Sequence, residues 1–165
     1  MNLIGSIKIA ASSDIVWQAI LSADVLLACI PGCIKMSGTA EDGFDVTVVQ
    51  KVGPLKATFK GEVKLSDIVS HKSLNLTGQG KGGAAGFAKG GAKVHLEQLG
   101  KETVLHYNVE AMVGGKLAQL GSRIIDGFAK KMSNQFFSNL QSQIEGPKAD
   151  IGKQNKKEWL RKLVS

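Results

Sequence analysis

Residues 55–65 read LKATFKGEVKL, the clearest alternation of apolar and polar positions in the chain. Leu55, Ala57, Phe59, Val63 and Leu65 fall on one phase, and Lys56, Thr58, Lys60, Glu62 and Lys64 on the other. Successive side chains of a strand point to opposite faces. This strand therefore has one dry face and one wet face, the mark of an antiparallel sheet. The same period recurs in NLIGSIKI (2–9), CIKMSGTA, FDVTVVQKV, SLNLTGQG, AKVHLEQL and ETVLHYNVEAMV. In the last of these Leu105, Tyr107, Val109, Ala111 and Val113 take the dry phase. Glu41-Asp42-Gly43 is a hairpin signal between two of the runs.

Two short helices are predicted after the first strand. Ser12 or Ser13 caps one, with Asp14 in its first turn; the other, SADVLLACI, stops at Pro31-Gly32. After Gly114-Gly115 the period changes to that of a helix. Leu117, Leu120, Ile124, Phe128, Met132, Phe136, Leu140 and Ile144 recur every three or four residues up to Gly146-Pro147. The pattern predicts an α+β helix-grip: a seven-stranded antiparallel sheet wrapped around one long C-terminal helix, with two short helices after strand 1. The helix has to cover the dry face of the sheet, because nothing else is available to do so. Meeting closely at one end and splaying at the other, the two layers would enclose an apolar cavity. The dry-face and helix-stripe residues expected to line it are Phe44, Val48, Phe59, Leu76, Tyr107, Val109, Leu120, Ile124 and Phe128.

Composition narrows the function. With 165 residues, 43% hydrophobic and 21% charged, the chain can build a core without disulfide or metal staples. Aromatic residues, at 5%, are too few for a base-stacking surface, so no nucleic-acid partner is expected. The N-terminus MNLIGSIKIAASS has no basic n-region or long apolar stretch, and no run is long enough to span a bilayer. The expected location is the cytoplasm. The net charge of +7 is uneven: residues 147–165 carry six Lys/Arg against Asp150 and Glu158, a balance of +4. Two units emerge, a domain over 1–146 and a basic amphipathic tail over 147–165. In the tail Trp159, Leu160, Leu163 and Val164 form an apolar side, and Lys156, Lys157, Arg161 and Lys162 crowd the rest. Such a segment is marginal as an isolated helix. It is a solvated terminus, a contact for an anionic membrane surface, or a contact for a protein groove.

Candidate chemistry is sparse. GQGKGG (78–83) matches G-x-G-x-x-G, but the next residues, AAGFAKGGAKVHL, open no helix to hold a phosphate. The seven glycines of residues 78–94 fit paired strands better, letting the sheet bend and the helix come close. Cys29 and Cys33 lack the further ligands a zinc site needs. No catalytic set and no metal cluster stands out. Tyr107, the only tyrosine, is either a hydrogen-bonded core residue or a polar handle for a ligand. Trp17 is core or a cavity lid.

Four stretches carry a family resemblance: ACIPGC (28–33), VGPLKATFKGEV (52–63), GQGKGGAAGFAKGGAKVHL (78–96) and VGGKLAQLGSRIIDGFAKKMSNQFF (113–137). The chain resembles the family of the carbon monoxide dehydrogenase G subunit, within the START-like helix-grip (SRPBCC) superfamily, over about residues 1–145. The resemblance implies a START-like domain at 1–146 with a hydrophobic pocket between sheet and helix. It implies a non-catalytic accessory protein of a molybdenum hydroxylase of the carbon monoxide dehydrogenase type. It further implies a bound quinone rather than a covalent cofactor, and peripheral attachment at the inner face of the cell membrane through the tail. Lys156, Lys157, Trp159, Leu160, Arg161, Lys162 and Leu163 would make that membrane or partner contact. The tail is shorter and less hydrophobic than the family leads one to expect, which suits reversible contact. An assembly factor for the dehydrogenase, or a small cyclase or hydrolase on the same fold, are the alternatives.

Overall fold

Seven strands form one antiparallel sheet in the computed structural model, which describes residues 1–146. They are β1 (Asn2–Ile9), β2 (Cys33–Thr39), β3 (Gly43–Val52), β4 (Leu55–Val69), β5 (Ser73–Lys81), β6 (Phe87–Leu99) and β7 (Glu102–Gly114). Their spatial order is β1-β7-β6-β5-β4-β3-β2. Strands β2 to β7 are a meander, and β1 is added beyond its last strand. Helices α1 (Ser13–Ile20) and α2 (Ala23–Cys29) carry the chain from one edge of the sheet to the other. Ser12 caps α1, its Oγ accepting the Ile15 N–H, and Ser22 caps α2 through Val25.

The long helix α3 runs from Ser122 to Glu145, 24 residues. It is shorter than the apolar repeat predicts. Residues Gly115–Leu120 instead form a 3-10 turn, and Gly121 has φ 92°. That left-handed conformation admits no helical hydrogen-bond ladder, so the phase of the repeat is reset there. Ile124, expected on the inner face, is 40% exposed, and Ile125 takes the inward position.

The C-terminal half of α3 is pinned down. Its Asn139 amide donates to the Cys29 carbonyl (2.9 Å), Gln141 donates to the Lys8 carbonyl (3.1 Å), and Glu145 accepts the Ala10 N–H (2.8 Å). The core lies under this half. Ile9, Val16, Trp17, Cys29, Leu74, Leu96, Leu105 and Leu140 pack together there. Trp17 is thus a core residue rather than a lid. No helix among the described residues is long and apolar enough to cross a membrane. The tail contacts expected at Lys156, Lys157, Trp159, Leu160, Arg161, Lys162 and Leu163 lie outside the described residues.

The glycine-rich stretch is strand, as the missing helix suggests. It forms the end of β5, a 3-10 turn at Gly83–Ala85, and the start of β6. Gly78 pairs with Gly90 across the two strands. A Cβ on Gly90 would overlap the Glu110 carbonyl oxygen of β7, and one on Gly61 of β4 the Gln79 carbonyl oxygen of β5. The close approach that requires glycine is therefore between curled neighbouring strands. The expectation that these glycines admit the helix is corrected: the atoms nearest them belong to strands, not to α3.

Candidate functional site

On the dry face of the sheet, the rows pass from large side chains at one end to small ones at the other. Leu96 pairs with Leu105 and Leu105 with Ile7. The next row joins Leu74, Val94 and Tyr107, and the next Leu76, Ala92 and Val109. Then come Gly78, Gly90 and Ala111, followed by Gly80, Ala88 and Val113. The helix side chains above the last rows do not fill the space left by so little sheet side chain. A cavity of about 560 Å³ remains between the sheet and α3. That volume lies within the ~300–1,000 Å³ typical of small-molecule sites.

Every face of the cavity is apolar. α3 contributes Ile125, Phe128, Ala129, Met132, Phe136 and Phe137; β7 contributes Leu105, Tyr107, Val109, Ala111 and Val113. Ile20, Leu26, Ile30 and Pro31 close it from the α1–α2 side. No Asp, Glu, Lys, Arg or His side chain lines it among the described residues. Its polar side chains are Gln50, Tyr107 and Ser133. Gln50 sits on the dry phase of β3 and its amide donates to the Pro31 carbonyl, tying the ACIPGC turn to the sheet. An isolated charge moved into such a space would lose its hydration without replacement, so the interior suits uncharged matter.

Five of the nine lining residues expected from the sequence reach this cavity: Phe59, Leu76, Tyr107, Val109 and Phe128. Four do not. Leu120 and Ile124 are displaced by the break at Gly121. Phe44 is buried at the far end of β3, opposite Val63, and Val48 stands behind its cross-strand partner Phe59 toward the sheet edge. Only the last residues of that strand, Gln50 and Val52, touch the cavity. Sequence reasoning passes over Gln50 because a polar residue in a dry phase reads as a lapse in the pattern. It passes over Ala88 and Ala92 too, whose contribution is the volume they leave empty.

Nucleophiles and metal ligands lie elsewhere. Cys29 is fully buried in the core, and burial pushes its thiol up to about 11; burial also raises Cys33. Neither thiolate is favoured. His95 stacks on His106 (5.6 Å) on the wet face, where His106 meets Glu97 at 2.9 Å. No group of three metal-ligating side chains forms among the described residues.

A sheet gripping one long helix is also the fold of known proteins. The family model for the G subunit of carbon monoxide dehydrogenase (CoxG) matches residues 5–145. The chain belongs to the CoxG family. The CoxG match spans nearly the whole sheet, the helix and the cavity, and leaves the tail out. No curated protein matches the chain. Among solved structures, a conserved protein from Geobacillus kaustophilus is similar at 28% identity with TM-score 0.82, over 89% of this chain and 97% of that one. A START superfamily protein from Mycobacterium smegmatis is similar at 12% identity with TM-score 0.66, over 87% and 97%. The Zhui aromatase/cyclase from Streptomyces sp. R1128 is similar at 13% identity with TM-score 0.61, over 89% and 94%. The last two share the START-like fold. They carry no activity across.

Proposed function

We propose that this chain is a non-catalytic accessory protein that binds a hydrophobic ligand for a molybdenum hydroxylase of the carbon monoxide dehydrogenase type. The observation that carries the reading is the uncharged, apolar cavity of about 560 Å³ under the N-terminal half of α3. In the family context the ligand is a quinone, held without a covalent bond, and the protein links the dehydrogenase to the membrane or respiratory chain. The basic tail, with Trp159 and Leu160 among its lysines, supports peripheral contact with the anionic inner face of the cell membrane. A cyclase would need a converging acid and base. Among the described residues Tyr107 is the one titratable side chain on the cavity wall, which favours binding over turnover.

Organic extraction and native mass spectrometry of protein purified from its own cells are expected to recover a quinone. The dehydrogenase is expected to co-purify in its cofactor-loaded form. A cavity that yields no apolar molecule, or a partner captured only before cofactor loading, would overturn the reading; the second result would favour an assembly factor.

A further inference from the structure

We propose that Tyr107 and Ser133 determine the specificity of the cavity, their hydroxyls donating hydrogen bonds to a carbonyl-class oxygen on an uncharged, otherwise apolar ligand. The proposal rests on the hydrophobic-ligand reading above and adds the chemistry by which the ligand is told from plain hydrocarbon.

The polar side chains around the cavity differ in what they already hold. Gln50 is engaged with the Pro31 carbonyl. The Tyr107 and Ser133 hydroxyls make no hydrogen bond among the described residues, although both residues line the cavity. A hydroxyl facing an apolar space without a partner is costly unless something arrives to satisfy it.

The phenol is also held in place. Its ring stacks on Phe137 with centroids 4.4 Å apart and planes 18° from parallel. On its other side lies Gly5, its cross-strand partner in β1, where a Cβ would run into the phenol oxygen. Tyr107 therefore lies flat between a strand and a helix, with two faces fixed and its hydroxyl aimed by packing. Phe136, Phe137 and Tyr107 border both the core and the cavity, so they form the floor where the filled half ends. Ser133 stands one helical turn before Phe137, on the same face of α3. Tyr107 thus comes from the sheet and Ser133 from the helix, and both line the same apolar space. A carbonyl oxygen accepts from both and brings no charge. A carboxylate would bring a charge with no cationic side chain on the wall, among the described residues, to meet it.

The test compares 2-hexyl-1,4-naphthoquinone with 2-hexylnaphthalene, which share ring and chain and differ in the carbonyls. Binding of each to the full-length protein is measured by equilibrium dialysis. The wild type is expected to prefer the quinone. Tyr107→Phe and Ser133→Ala are each expected to weaken quinone binding about threefold to tenfold and to leave naphthalene binding unchanged. The double variant should lose the preference. A preference that survives the double variant, or equal losses for both probes, would overturn the proposal. If the wild type binds both probes equally, the hydrophobic-ligand reading stands and this proposal fails. If it binds neither, the hydrophobic-ligand reading itself fails.

Discussion

The two halves of α3 carry similar apolar residues and meet different fates. Phe137, Leu140 and Ile144 press into a packed core; Ile125, Phe128 and Met132 overhang an open space. The difference lies in what faces them. Under the C-terminal half the sheet offers Leu74, Leu96 and Leu105, and α1 and α2 add Val16, Trp17 and Cys29. Under the N-terminal half it offers Ala88, Gly90, Ala92 and Ala111. One amphipathic helix is thus anchor and roof at once. The cavity is written in the small residues of the sheet rather than in the helix.

The sharpest way to break that contrast is to shorten one side chain in each half. Leu140→Ala, at a position with no exposure, is expected to cost about 2–5 kcal/mol in urea unfolding. Phe128→Ala, beside existing empty space, is expected to cost less than half as much. Equal costs would mean the halves are packed alike. Next in size is Gly90→Val, whose side chain would overlap the Glu110 carbonyl. A loss of about 1–3 kcal/mol is expected, with no nucleotide binding before or after the change. A neutral result would remove the strand-to-strand account of the glycines.

A pH series on the wild type and a Cys29 variant probes the filled half. The Cys29 thiol is raised from 9.0 to about 11 in the folded protein because burial disfavours the thiolate. Between those values the unfolded chain has released the proton and the folded chain retains it. The contribution is therefore fully present below about pH 9 and is lost as pH rises toward about 11. A Cys29→Ala variant, less stable at neutral pH, should show a shallower alkaline decline; an identical slope would contradict the assignment. The smallest stability effect is expected from Ala92→Leu. The added carbons enter empty space instead of a packed core, so thermal unfolding should move little while less apolar ligand is retained. A loss as large as that of Leu140→Ala would show that the space is not available.

Much of this fold is legible in the chain because burial is one-sided. Lys56, Thr58, Lys60 and Lys64 are exposed between inward Leu55, Ala57, Phe59 and Leu65, as the alternation requires. The same rule puts Tyr107 and Val109 on the cavity side, where they are found. The errors have equally physical origins. Periodicity carries no signal for a single left-handed residue, so Gly121 shifts the inward position from Ile124 to Ile125. Dry phase says which face a residue occupies, not how far along the sheet the helix stays away; Phe44 and Val48 have the right face and the wrong place. Empty volume has no letter of its own. It is inferred from alanine and glycine only when the opposing layer is known.

The strand order has a consequence for the birth of the protein. β1 hydrogen-bonds to β7 alone within the sheet, with Leu3 opposite Val109 and Gly5 opposite Tyr107. Each of those pairings closes a loop of about a hundred residues, the kind of contact that forms late and slowly. A ribosome delivers β1 first, yet its sheet partner does not exist until β7 has been synthesised. β1 waits through the making of six other strands before the edge of the sheet beside Tyr107 can form.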